Sequence, residues 1–154
     1  MFYEIGNKMI NLKRVSNIIF DKKKLKVDFQ FANSINILGK ETSDFHEVRF
    51  TRIDDIIKLK MKLLSDFKVD KMFIRPPVSV LGNEEWVNKN HINSIALDED
   101  NAKIIFNLDY SIEVVDKRTG DLVKISKFIY WRFESKEKAQ EEYYKIKRFL
   151  KPIN

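Results

Sequence analysis

Residues 9–67 of this chain match residues 86–150, and a duplication of that length constrains the fold more tightly than any local propensity. Met9-Ile10-Asn11 falls on Trp86-Val87-Asn88 at an offset of 77, and the register then continues without a gap. Val15 meets Ile92, Ile18 meets Ile95, Phe20 meets Leu97, Asp21 meets Asp98, Val27 meets Ile104, Phe29 meets Phe106 and Phe31 meets Leu108. Past the next turn the offset becomes 83, pairing Val48 with Trp131 and Phe50 with Phe133. In the closing segment an offset of 82 pairs Ile57, Met61, Leu64 and Phe67 with Ala139, Tyr143, Ile146 and Phe149.

Each copy predicts four strands followed by a helix. Segments 8–13 and 86–90, then 15–21 and 92–98, have the length and composition of short strands, 24–38 and 102–115 of long ones, and 45–51 and 123–133 of fourth ones. Residues 52–67 and 135–150 space their apolar positions three or four apart, the pattern of a helix with one buried side, and Ser135 is a candidate N-cap for the second. Turn-forming residues separate the strands: Asp21-Lys22-Lys23 and Asp98-Glu99-Asp100-Asn101 at the tight hairpins, Gly39-Lys40 and Arg118-Thr119-Gly120-Asp121 at the wider ones.

The expected architecture is therefore α+β, two tandem β-β-β-β-α repeats, each an antiparallel sheet with one helix on one face. The first repeat spans 1–67 and the second 86–154. The linker is 68–85, where Arg75-Pro76-Pro77 interrupts any strand. One unit alone is small for a stable core, so the two are expected to pack as one intertwined domain. Alternation assigns the faces. Leu25, Val27, Phe29 and Phe31 point inward, opposite Lys24, Lys26, Asp28 and Gln30; Ile104, Phe106, Leu108 and Tyr110 do the same, as do Ile129, Trp131 and Phe133.

Charge narrows the partners. The chain carries 29 Lys/Arg against 23 Asp/Glu, and the excess is confined to one half: residues 1–80 hold 16 against 10, residues 81–154 hold 13 of each. Lysine and arginine gain by releasing counterions from phosphates, so the basic half points to a polyanion, although a lysine-rich solvated surface has the same composition. No run approaches the roughly 18 apolar residues of a membrane helix. Met1-Phe2-Tyr3-Glu4 lacks the basic-then-apolar pattern of a secretion signal, and there is no cysteine, so a cytoplasmic protein without membrane contact is expected.

Catalytic chemistry finds no foothold. His46 and His91 have no ligand-like or base-like partner at a recognisable spacing, and the four glycines are too dispersed for a phosphate loop, so neither an enzyme nor a bound cofactor or metal is expected. Asp98-Glu99-Asp100 lies in a tight turn without further oxygen ligands at calcium-loop spacing, which makes it a solvated hairpin. Binding residues are more legible. With Ile129, Trp131 and Phe133 inward, Lys124, Ser126, Phe128, Tyr130 and Arg132 face the other way, and aromatics beside cations on an open sheet suit single-stranded nucleic acid, whose bases stack and whose phosphates need neutralising. The same face would serve equally for packing between units or chains. Lys24, Lys26 and Arg49, at the outward positions of the first copy, are further phosphate candidates. Lys22-Lys23-Lys24 is matched in the second copy by Glu99-Asp100-Asn101, an inversion that implies either specialised copies or a head-to-tail homo-oligomer in which basic and acidic turns meet.

A tandem of this kind resembles the Whirly and Pur-type group of single-stranded nucleic-acid-binding proteins. The stretches that carry the resemblance are His46-Glu47-Val48-Arg49-Phe50 through Phe67, and Tyr130-Trp131-Arg132-Phe133 through Leu150, and at the level of topology it covers nearly the whole chain. In that group two repeats intertwine and present a basic, aromatic surface to DNA or RNA. The resemblance thus implies a sequence-tolerant single-stranded DNA or RNA binder, with Lys22, Lys23, Lys24, Lys26 and Arg49 at phosphates and Phe128, Tyr130 and Arg132, flanked by Lys124, as a stacking surface. The alternative is a protein-binding adaptor or inhibitor that masks a partner surface. The Lys-, Asn- and Ile-rich composition is that of an AT-rich genome such as a phage or plasmid carries, where such small proteins are common.

Overall fold

Thirteen strands and helices follow one another in the computed structural model, which describes residues 1–150: β1 (Phe2–Ile5), β2 (Lys8–Asn11), β3 (Val15–Asp21), β4 (Lys26–Ile37), β5 (Lys40–Arg49), α1 (Ile53–Leu64), α2 (Phe67–Met72), β6 (Phe73–Ile74), β7 (Glu84–Asn88), β8 (Ile92–Asp98), β9 (Lys103–Val115), β10 (Leu122–Arg132) and α3 (Lys136–Phe149). The fold is α+β. Among the described residues there are three antiparallel sheets, a β1-β2 ribbon, a five-stranded sheet in the order β5-β4-β3-β7-β6 and a three-stranded sheet in the order β10-β9-β8.

Alternation places the core as expected. Val27 and Phe29 on β4 are buried with Ile18, Phe20 and, from α1, Ile56 and Leu63; Ile104, Phe106 and Leu108 on β9 are buried with Ile129, Trp131 and, from α3, Ala139 and Ile146. The two β-hairpins that lead into these long strands share their local geometry at an offset of 77. Asp21 Oδ1 accepts the Lys24 amide at 3.0 Å and Asp98 Oδ1 accepts the Asn101 amide at 3.2 Å. Leu25 and Ala102 both take positive φ, 53° and 49°, a left-handed residue that closes a four-residue hairpin loop in keeping with strand twist. The Phe50 and Phe133 amides then donate to the Leu25 and Ala102 carbonyls, each at 2.8 Å.

Four expectations are corrected. The first strands do not join the sheets of their own copies: among the described residues β2 pairs only with β1, while β7 is hydrogen-bonded to β3, with Ile18 opposite Trp86, and carries Trp86 into the core of the first half. A strand edge takes whichever strand the chain brings to it, and nothing in alternation encodes which. The fourth strand of the first copy begins at Lys40 rather than residue 45, because Leu38 and Gly39, φ 52° and 82°, make a two-residue turn that lets pairing resume at once.

The helix register is also different. Ile57, Met61 and Phe67, expected inside, are exposed, whereas Ile56 and Leu63 are fully buried, so the offset of 83 persists through α1 and α3 and pairs Ile56 with Ala139 and Leu63 with Ile146. Two apolar stripes run along α1, and the pattern alone does not say which one packs. Finally, 68–85 is not an irregular linker. Asp66 caps α2 by accepting the Lys68 amide at 2.8 Å, α2 buries Val69 and Met72, and β6 then pairs with β7.

Candidate nucleic-acid interface

The lysine hairpin is shaped by its backbone, which leaves its side chains free. The Asp21 carboxylate and the left-handed Leu25 fix the turn, so Lys22, Lys23 and Lys24 project into solvent, and none has a carboxylate within ion-pair distance among the described residues. Lys22 and Lys23 form one wall of a cleft of about 580 Å³, with Lys60, Pro77, Val80 and Asn83 around it. Lys60 is committed elsewhere: its ammonium lies 3.0 Å from Glu84 and 5.5 Å over the Phe20 ring.

Lys26 and Arg49 do not belong to this group. Lys26 sits 2.9 Å from Glu47 and 3.3 Å from Asp28, and Glu47 also holds Arg49 at 3.3 Å. The hydrogen bond from Lys26 pulls the Glu47 carboxyl below its usual range, and the same bond raises the Lys26 amine. Glu47 sits diagonally across on β5, where Arg49 is the direct register partner of Lys26, and Asp28 follows two residues along β4, so the Lys26 ammonium is held in an internal ion pair. Arg49, exposed beyond it, shares the same carboxylate.

The aromatic face stands on β10. Phe128 and Tyr130, two residues apart and hence on one side of the strand, lie with ring centroids 6.4 Å apart and planes 21° from parallel. Tyr130 is 44% exposed. Lys103, the register partner of Arg132 on β9, places its ammonium 4.7 Å over the Tyr130 ring. Sequence reasoning missed Lys103: pairing the two long strands outward from their hairpin would put it opposite Glu134, and only the register shift between Ser126 and Phe128 brings it opposite Arg132. Lys124 lies at the far end of the same strand, beyond a break in the ladder between Ser126 and Phe128, and is 3.1 Å from Glu41, so it is separated from the aromatic pair.

The two basic regions, distant in sequence, meet through the segment before β7. The Leu81 amide donates to the Arg132 carbonyl at 2.8 Å, as an isolated antiparallel bridge. Val80 and Gly82, either side of Leu81, line the cleft of Lys22 and Lys23. The lysine cleft and the end of β10 therefore adjoin at Leu81.

His91 and Asp98 are engaged in local contacts. His91 bridges Asp109, 3.0 Å from Nδ1, and the Lys13 carbonyl, 2.8 Å from Nε2, and so ties the turn before β8 to the one before β3. Asp98 spends both carboxylate oxygens on Asn101 within its own turn, with Lys103 at 3.9 Å. Among the described residues no cluster of three His, Cys, Asp or Glu has metal-binding geometry, and no helix is long and apolar enough to cross a membrane. No protein-family model, curated protein or solved structure matches the chain.

Proposed function

We propose that this protein binds single-stranded DNA or RNA without strong sequence preference, and that it is built from two diverged copies of one β-β-β-β-α unit. The matched hairpins, with their left-handed Leu25 and Ala102 and their paired amide bonds from Phe50 and Phe133, support the duplication. The observation that carries the binding reading is the Leu81–Arg132 bridge, which joins a lysine hairpin without ion-pair partners among the described residues to a strand that carries exposed Tyr130 beside half-buried Phe128. Bases would stack on Tyr130 and Phe128, since every base offers a ring face, while Arg132, Lys22, Lys23 and Lys24 neutralise successive phosphates.

Fluorescence-anisotropy titrations of labelled single-stranded DNA, single-stranded RNA and duplex at two salt concentrations test this. Binding of single strands that weakens log-linearly with salt is expected; no signal from any of the three at low salt refutes it. A second reading, an adaptor that masks a partner surface, is favoured by the exposed stripe of Ile53, Ile57 and Met61 along α1. Such an interface would hold its affinity as salt rises.

A further inference from the structure

The chain makes the same two-stranded ribbon twice. In β1–β2 Phe2 faces Asn11 and Tyr3 faces Ile10; in β6–β7 Phe73 faces Asn88 and Ile74 faces Val87, each second-strand residue 77 positions after its counterpart. Both ribbons lead into the next strand through a short turn capped by that asparagine, which accepts the amide two residues on. One side of each packs on its own half of the chain, Ile10 in the first core, Ile74 and Val87 in the second.

Their other sides differ. Phe73 and Trp86 are 3% and 1% exposed, inserted into the first core while β7 runs along the edge of β3. Their counterparts Phe2 and Met9 are each 63% exposed. The acceptor is vacant as well. β8, the counterpart of β3, has β9 on one side and no hydrogen-bonded strand on the other among the described residues. Beside it lies an apolar pocket of about 190 Å³ lined by Ile95, Tyr143, Ile146, Lys147 and Leu150. Ile95 is the counterpart of Ile18, which faces Trp86, and Ile146 is the counterpart of Leu63, which shares the core with Trp86. The pocket is thus the second half's version of the Trp86 site, and it is smaller than the roughly 300–1,000 Å³ of small-molecule sites and suited to one side chain.

We propose that the β1–β2 ribbon of a second copy of this chain adds antiparallel to the free edge of β8, with Met9 opposite Ile95 and its thioether in the pocket against Tyr143. The register is that of β7 on β3, so Lys8 enters beside Ala96, two residues from Asp98 of the acidic turn. A thioether against an aromatic ring is a favourable contact, and an exposed edge is a ready template for a strand. The occupant comes from another copy because the ribbon's inner side is held on its own first half by Ile5 and Ile10, and Phe2 and Met9 stay in solvent in the single chain. Every copy carries both ribbon and acceptor; a two-fold pair makes the contact twice.

This rests on the duplication and not on nucleic-acid binding, so it is tested with no nucleic acid present. The chain has no cysteine, and Met9→Cys protein mixed with Ile95→Cys protein under mild oxidation is expected to give a disulfide-linked heterodimer, whereas Val78→Cys, at a fully exposed loop position, gives none with the same partner. In sedimentation equilibrium the wild type is expected to gain mass with concentration, and Met9→Asp to remain monomeric. A wild type that is monomeric throughout, an assembly that Met9→Asp leaves intact, or crosslinking of Val78→Cys as readily as Met9→Cys overturns it.

Discussion

Asn17 donates its carboxamide to the Glu85 carboxylate across 2.6 Å, in the seam where the first sheet meets the second hairpin. Asn17 also reaches Gln30 at 3.0 Å and accepts from Ser16 at 2.6 Å, and Ser16 and Ser43 both lie within hydrogen-bond distance of the Tyr110 hydroxyl. Lys127 is the other charge facing Glu85. Burial raises the Glu85 carboxyl, and the Asn17 bond and Lys127 offset only part of it; burial lowers the Lys127 amine for the same reason. The seam thus shifts both groups toward their uncharged forms, as expected where desolvation outweighs pairwise attraction.

A stability difference with a defined pH dependence follows. Because Glu85 holds its proton more tightly folded than unfolded, its contribution is fully present below the ordinary value of 4.5 and is lost as pH rises through the raised folded value. Glu85→Gln keeps an acceptor for Asn17 and removes the ionisation. Its melting temperature relative to wild type is therefore expected to rise between acid pH and neutrality. A difference that stays flat or falls would contradict the assignment.

Replacing Lys22, Lys23 and Lys24 with the Glu-Asp-Asn of the matching turn is expected to weaken single-strand binding and to lower the log–log salt slope by roughly 0.7–0.9 for each phosphate that is no longer neutralised. The turn is built by Asp21 and Leu25, which remain, so melting temperature serves as the control. Lys26→Gln, by contrast, should leave the salt slope unchanged, since Lys26 is held by Glu47 and Asp28.

Tyr130→Ala is expected to reduce affinity for single strands by about 1–3 kcal/mol, the range of one base-stacking interaction. The salt slope should hardly move, because no cation is removed. Anisotropy titrations at several salt concentrations separate this outcome from that of the lysine variant.

Trp86→Ala is expected to destabilise the fold by about 3–5 kcal/mol in urea unfolding, as for a large aromatic removed from a core. Met9→Ala, its counterpart in the first ribbon, should change monomer stability by within about 0.5 kcal/mol. Similar effects for both would mean that Met9 is buried in the single chain.

Much of this molecule is legible in local pattern. Strand length and composition located β3 and β8 to the residue, and period-two alternation named Val27, Phe29, Ile104 and Phe106 as core, because a strand's two faces are set by the chain itself. Turn chemistry located the hairpins at Asp21 and Asp98 for the same reason: the side chain that shapes the turn is in it. On α1 the pattern offered two apolar stripes, and packing chose the one through Ile56 and Leu63, leaving Ile57 and Met61 outside.

Among the candidate site residues, the sequence by itself determined which could reach solvent from a turn, Lys22 to Lys24, and which share a strand face, Phe128 with Tyr130. Only the tertiary structure decided that Lys26 is neutralised by Glu47, that Lys103 covers Tyr130, and that Leu81 bridges the lysine cleft to Arg132. It alone decided that β7 lies on β3 while the other edge of β8 carries no hydrogen-bonded strand among the described residues. The physical reason is that the backbone groups of a strand edge are alike along the chain, so the partner is selected by how the cores close around side chains such as Trp86, and that closure involves residues far apart in sequence.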